Sequence, residues 1–532
     1  MRRKHVPVAV PQAERRDFLR KMGWMSAGVS LASFYASPAW AAEDCSDPNY
    51  NPPDYPQDCK APAATGQPVP FTPLQGPVLP RKSAFELTPE EITKIQSAYR
   101  ALRELTVKDP TDPRGWQQQS FVHCWYCGGG SDGQQGMEIH GSWWFLPWHR
   151  AFLYFHERIL GGLINDPTFR LPFWDWDTQS GSPSHQTMPP IYTAILKELN
   201  PLSNTRRGET ATARIPSSIV GPTVIARILG QSTYATFGGA GNNGQPGQLE
   251  QGPHNQVHVW TGTGKTTMPD CGTDMGVLAT AARDPLFFAH HSNVDRFWDL
   301  WKQIPGHDNP PDDSWLSQTW TFYDEQKRFV SIAVKDVITT AGLGYEYAPV
   351  KGVAKAVAAK KAPPAATTVA AAASTGSAPE PLVVTSKDEG ISLTPKPVTH
   401  SVQSLPKPQK DRMMAITPGA KQRVLLKIQG IEIPMTESAQ VRVFVNKPDA
   451  TAATSVETPN FAGNIGAVAH TRGKQHQNHA KTFDATIELA PETARLIATQ
   501  GKVSVTLVPV DAMGKQPKDI SLKYRKIVLE TE

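Results

Sequence analysis

Cysteine is scarce in this chain: five among 532 residues, at Cys45, Cys59, Cys124, Cys127 and Cys271. An odd number leaves at least one thiol outside any disulfide framework. Cys45 and Cys59 flank a Pro-rich loop, and pairing them would staple that arm. Net charge is scarce too. The formal +5 is carried by residues 1–41, which hold seven Lys/Arg against two acids, so the remainder is near neutral. That excludes the broad basic surface expected of a nucleic-acid or membrane binder. Beyond the N-terminal region no stretch reaches 18 consecutive apolar residues, so no membrane-spanning helix is expected.

What is present at the N-terminus reads as an address. Arg15-Arg16 with Asp17-Phe18-Leu19-Arg20, a moderately apolar run over 22–35 and Ala39-Trp40-Ala41 form a twin-arginine leader with its cleavage site. The expected location is the periplasm or the exterior, with no membrane contact after cleavage.

The stretch Ala282–Trp301 reads as one buried helix. Asp284 caps it and Pro285 occupies its first turn, where the missing N–H costs nothing. Phe287, Phe288, Val294, Phe297, Trp298 and Trp301 make most of its faces apolar. His290, His291, Asp295 and Arg296 lie in its middle and need partners if buried. Successive helical residues sit about 100° apart, so only one of His290 and His291 should point into a given site. Upstream, Thr88-Pro89-Glu90-Glu91 opens another helix with a capping pattern. Downstream, 350–381 is Ala/Pro/Lys/Thr-rich, and Lys360-Lys361 offers a protease site. From 423 onward period-two alternation predicts an all-β sandwich. It holds no obvious catalytic cluster; His470, His476 and His479 share one polar loop and are read as solvated.

Nine of the 15 histidines fall between His123 and His291. They form two sets. One is His123, His140 and His149. The other is His254 and His258, spaced to share a helix face, with His290 or His291. All-imidazole sets without a thiolate pair suit copper, zinc or iron, and two sets imply a two-metal centre.

The segments H-C-W-Y-C at 123–127, H-G-S-W-W-F-L-P-W-H-R at 140–150, L-P-F-W-D-W-D at 171–177, P-H-N-Q-V-H-V-W-T-G at 253–262 and D-P-L-F-F-A-H-H-S-N-V-D at 284–295 closely resemble the tyrosinase and polyphenol oxidase family, in its plant-like branch. So do Ser314-Trp315-Leu316, Phe322–Glu325 and, in the β region, G-I-E-I at 430–433, V-F-V-N at 443–446, N-F-A-G-N at 460–464 and V-T-L-V-P at 505–509.

The resemblance implies a mainly helical catalytic domain, a four-helix-bundle dicopper core with long loops, followed by a C-terminal β-sandwich that shields it. The expected boundaries are 1–41 leader, 42–305 catalytic domain, 306–349 short β-rich extension packed on it, 350–420 linker and 421–532 shield. Two copper ions, binding O2 as peroxide, are implied: one held by His123, His140 and His149, the other by His254, His258 and His291. His290 is a supporting residue. Asp295, one turn after His291, is placed to orient an imidazole, or else to pair with Arg296 or Arg283. Cys127 matches a cysteine that forms a thioether to His140 in this branch, which would account for the odd thiol. Cys124 matches a disulfide position whose partner stays open between Cys59 and Cys271.

The implied reaction oxidises o-diphenols to o-quinones with O2. Ortho-hydroxylation of monophenols needs a base, since a phenol has pKa ~10. Glu250 and Asn255 match the family's water-holding pair. Leu278 stands where the branch often has a Phe gate, so bulkier phenols of the tyrosine or caffeate type are expected as substrates. Partners are small phenols and O2, with no nucleic acid. A strict catechol oxidase, a haemocyanin-like O2 carrier and a structural dizinc protein are the competing readings.

Overall fold

The structure is a computed structural model describing residues 66–532 except 74, 128–137, 194–199, 205–206, 209–210, 243, 263–273, 351–379, 418–421 and 471–479. The leader over 1–41, Cys45, Cys59, Cys271, His476 and His479 lie outside the described residues.

Five helices build the first body: α1 (Pro89–Lys108), α2 (Trp116–Trp125), α3 (Phe145–Leu163), α4 (Asn255–Gly262) and α5 (Leu286–Lys302). Local chemistry sets their ends. Thr88 and Glu91 form a reciprocal capping box on α1. The Asp284 carboxylate accepts the Leu286 N–H at 2.9 Å and is itself pinned by Arg207 at 2.6 Å, so Asp284 caps α5 as its sequence predicts. Helices α3 and α5 carry nearly continuous buried faces. The rings of Phe152 and Phe288 meet between them at 5.5 Å. The described residues between 180 and 249 are loops with short helices, Ser217–Val220, Pro222–Leu229 and Tyr234–Phe237 among them.

Two small sheets close this body. Strand β1 (Val69–Pro70) runs parallel to β4 (Phe329–Ala333), which pairs antiparallel with β3 (Thr319–Tyr323). Strand β2 (Leu79–Arg81) runs parallel to β5 (Tyr345–Tyr347). The β-rich extension predicted over 306–349 is thus stitched to the N-terminal segment.

The C-terminal body is a sandwich of two four-stranded antiparallel sheets. One has the order β10-β9-β12-β7 (Phe461–Ala467, Ala439–Val445, Val503–Val510, Val398–Val402), the other β11-β8-β13-β6 (Ala480–Glu488, Val424–Pro434, Leu522–Thr531, Leu382–Leu393). Strands β6 and β7 and the helix Lys407–Ala415 lie inside the stretch read as linker over 350–420. The sandwich therefore starts about forty residues earlier than alternation from 423 suggested. Strand β6 is mostly exposed, so its hydrophobic alternation is weak.

Strands β9, β10 and β12 of the first sheet are buried on both faces. Val441, Val443, Val445 and Ile465 pack inside the sandwich. Phe444, Phe461, Val508 and Val510 join the core of the helical body. With side chains alternating along a strand, this sheet is the surface by which the sandwich sits on the helices.

Candidate metal centre

Six predicted histidines converge in two sets. His123 comes from the last turn of α2, His140 from the loop before α3 and His149 from its first turn. His254 ends a π-type turn, Glu250–His254, where Gly252 leaves helical geometry and Pro253 lacks an N–H. His258 follows on α4 and His291 lies mid-way along α5. In each set the available ligand nitrogens lie within 4.8 Å of one another. All six side chains are buried. The sets face each other: the His149 and His291 rings stack at 4.2 Å.

Hydrogen bonds orient the rings. His149 Nδ1–H donates to Phe145 O at 2.7 Å, His258 Nδ1–H to Met275 O at 2.8 Å and His254 Nδ1–H to Asn255 Oδ1 at 2.8 Å. Because these oxygens only accept, the proton sits on Nδ1 and the Nε2 lone pair stays open. The Nε2 atoms of His140, His149 and His254, and both nitrogens of His123, are buried without a hydrogen-bond partner. His258 Nε2 and His291 Nε2 lie 3.2 Å apart, and with its proton on Nδ1 the His258 ring can only accept there. Burial first, then neighbouring imidazoles, holds His123, His149, His254 and His291 well below the ordinary histidine range. His258 is pushed down to about 3 by burial. Neutral imidazoles with orphaned nitrogens are a donor set that could hold a metal ion.

His290 also reaches the second set, contrary to the expectation that only one of the two adjacent histidines would. Its tautomer separates it from a ligand. The Trp176 indole, which can only donate, gives its N–H to His290 Nδ1 at 3.1 Å. The neutral ring then carries its proton on Nε2, which is buried without a partner.

Asp295 does not orient an imidazole. Its Oδ1 accepts from Arg150 Nε at 2.6 Å, and its Oδ2 from the hydroxyls of Tyr345 at 2.6 Å and Tyr347 at 2.5 Å. Nor does it pair with Arg296 or Arg283 as the alternative had it; Arg296 binds Asp177 at 3.0 Å. One helical turn sets Asp295 beyond the metal cluster, against β5.

Glu250, Asn255 and Leu278 line one small cavity, closed from above by Gly466, Val468, His470, Lys481 and Phe483 of the sandwich. Glu250 Oε1 accepts the Gly141 N–H at 2.8 Å and its Oε2 is buried without a partner. Burial pushes its carboxyl up to about 8. Leu278 gives its N–H to Ala469 O at 2.8 Å. His470, read as solvated, is buried: its Nε2 lies 3.7 Å from Glu138 Oε2 and 3.2 Å from Lys481 Nζ. Polar neighbours in sequence concealed that His470 itself packs against the helical body.

Sequence reasoning missed Glu138, two residues before His140. Its Oε1 accepts the His140 backbone N–H at 2.8 Å and faces His140 Nδ1 at 3.3 Å. Burial raises its carboxyl, but hydrogen bonds from His140 and His470 and the charge of Lys481 outweigh that and hold it well below the usual range. A lone acid beside a histidine carries no periodic signal.

Cys124 is disulfide-bonded to a cysteine outside the described residues. Cys127 is in no disulfide; its buried thiol donates to Cys124 O at 3.1 Å. The Ile139 N–H binds Tyr126 O at 3.1 Å, so Cys127 and His140 follow a closed backbone bridge.

Residues 113–207 and 196–304 match the common central domain of tyrosinase, 309–357 the polyphenol oxidase middle domain and 397–522 the chloroplastic polyphenol oxidase C-terminal domain. The chain belongs to the tyrosinase and polyphenol oxidase family. Among its relatives, polyphenol oxidase II of Ipomoea batatas is 32% identical over 503 residues, 86% of this chain and 81% of that one. Catechol oxidase B of Solanum tuberosum is 31% identical over 477 residues, 83% and 76% of the two chains. Among solved structures, latent apple tyrosinase superposes with TM-score 0.65 at 28% identity over 87% of this chain and all of that one (100%). Latent aurone synthase superposes with TM-score 0.68 at 26% identity, covering 89% and 93%.

These kinships establish the helical core with its C-terminal β domain. They overturn the expected location. The curated relatives are named chloroplastic plant enzymes, which points to an organelle and not to a bacterial periplasm or exterior. A basic, acid-poor, Ser-containing leader is common to export signals and organelle transit peptides, so composition could not separate them. Among the described residues no helix is long and apolar enough to cross a membrane.

Proposed function

We propose that this polyphenol oxidase oxidises o-diphenols to o-quinones with O2, hydroxylates monophenols at the ortho position, and stays latent while its sandwich covers the site. The observation that carries this reading is the pair of buried imidazole sets, most of whose members have a ring nitrogen without a hydrogen-bond partner. His123, His140 and His149 would hold one copper ion, and His254, His258 and His291 the other. Bound there, the copper pair would supply the redox chemistry with O2.

The chain's own residues do the rest. Leu278 borders the cavity, where its apolar side chain would exclude water. Asn255 fixes the His254 ring through Nδ1. Glu250 Oε2 accepts the phenol proton, directly or through one water, before hydroxylation. Its carboxyl, displaced to about 8, lies closer to the phenol's ~10 than an ordinary glutamate, which eases transfer once the carboxylate is ionised. Cys127 and His140 are proposed to join in a thioether, the S–H and a ring C–H giving an S–C bond while O2 takes up the two electrons and two protons as hydrogen peroxide, supported by the buried thiol and the Tyr126–Ile139 bridge; the linked peptides would be lighter by two hydrogen atoms in a mass spectrum.

Steady-state rates on catechol, tyrosine, tyramine and an o-aminophenol, measured on copper-loaded protein cut in the linker, test the reading. Catechol turnover without monophenol turnover would leave a strict catechol oxidase. Reversible O2 uptake without turnover would leave a carrier.

A further inference from the structure

The covering segment reports what the rim of the pocket recognises. On the helical side the cavity is lined by Pro246, Glu250, Asn255 and Leu278, and among these described residues none is cationic. Glu138 sits beside this rim, holding the His140 N–H with Oε1 and turning Oε2 toward the sandwich. Among the described residues, the cation that compensates Glu138 is Lys481 of the sandwich. Lys481 lays its stem over Gly141, with Cε 3.9 Å from where a Cβ would stand, and brings Nζ to 3.2 Å from His470 Nε2. His470 in turn lies 3.7 Å from Glu138 Oε2. Phe483, two residues along the same strand and so on the same face, lines the cavity with Lys481. An aromatic ring and an ammonium side by side have the chemistry of an arylalkylamine.

Resting on the function proposed above, we propose that the uncovered pocket selects phenols bearing an ammonium group through the carboxylate of Glu138, and that Lys481 holds the place of that ammonium in the intact chain. Displacing the sandwich removes Lys481 and His470 together. Glu138 then faces the opening with one oxygen unpaired, and Glu250 stands beside it. A cationic substrate restores the lost pairing. A carboxylate of the same length meets like charge, which an interface penalises more than neutrality.

The test uses copper-loaded protein cut in the linker and three phenols of matched size: tyramine, neutral tyrosol and 4-hydroxyphenylpropionate. The expected order of kcat/KM is amine, alcohol, acid, with the amine about tenfold or more above the acid at low salt and the gap narrowing as salt screens the charges. Glu138→Gln should shrink the amine-to-acid ratio. Calorimetry supplies a readout free of turnover: 2-phenylethylamine, which lacks the phenol, should bind wild-type protein more tightly than 3-phenylpropionate. Equal rates and equal binding for amine and acid, or preference for the acid, overturn the inference, as does an unchanged ratio in Glu138→Gln. Should that variant lose copper, the wild-type salt dependence and the calorimetry decide alone. Failure to oxidise tyrosol and catechol at all would sink the proposed function; oxidation of both without charge preference would sink only the selection.

Discussion

The side-chain amide of Asn255 donates to the backbone carbonyl of Gly466 at 2.8 Å. Through its other end the same side chain holds His254. One residue therefore ties an imidazole of the metal centre to the strand that covers it. A Cβ on Gly466 would stand 2.4 Å from Gln251 O and 3.3 Å from Asn255 Cβ, so only glycine lets β10 lie this close. Gly466→Ala should loosen the cover. Overpacking of this kind costs about 1–3 kcal/mol, or roughly five- to a hundred-fold in the covered-to-open ratio. The uncut variant should oxidise catechol faster than uncut wild type by a factor in that range. Equal rates would mean that this contact does not limit opening.

Cutting within 351–379 should have the same direction. Limited trypsin treatment, monitored by the appearance of a C-terminal fragment, is expected to raise catechol oxidation in step with cleavage. A fully cut sample with the rate of the intact protein contradicts a covering role for the sandwich.

Glu250→Gln should cut monophenol turnover by about a hundredfold or more, the range of general base catalysis, and leave catechol turnover much less affected. The wild-type monophenol rate should rise with pH, because only the ionised carboxylate takes a proton. Burial holds this acid up at about 8 in the covered chain. Admitting water favours the charged form, so in cut protein the limb should fall below that value. A monophenol rate flat in pH, or equal losses on both substrates, argues against Glu250 as the base.

Leu278→Phe should narrow the pocket. The kcat/KM for a caffeate-sized phenol is expected to drop several-fold relative to catechol. Parallel changes on both would remove Leu278 from the role of gate.

Asp295→Asn should cost stability and not change substrate preference. It leaves the buried Arg150 guanidinium without its anion, at about 3–5 kcal/mol. A thermal melt of the copper-loaded protein should show a clearly lowered Tm. An unchanged Tm would mean that the Arg150–Asp295 pair contributes little.

The two histidine sets were legible because their members sit in marked segments: His254 and His258 by their spacing, and His290 and His291 in a strongly apolar helix, with the choice of His291 resting on the family resemblance alone. The sandwich was legible where its strands are buried and alternate, and lost in β6, whose exposed residues blur the pattern. Asp295 was misread because adjacency along a helix says nothing of the partner chain segment, here Tyr345 and Tyr347 fifty residues away in sequence. Glu138, His470 and Lys481 were invisible for the same reason. Their meaning arises only where the sandwich lands, and no periodicity encodes that contact.

Strands β2 and β5 have a consequence for maturation. They bracket the helical body, one before it and one just before the linker, and lie side by side. Arg81 on β2 donates to Glu157 at 2.8 Å and to the Tyr347 hydroxyl at 3.1 Å, and its guanidinium stacks 3.6 Å over the Tyr345 ring. Both ends of the body are knotted to each other ahead of the cutting region. A protease that severs the linker frees the sandwich without leaving a loose end from which the remaining body could unravel.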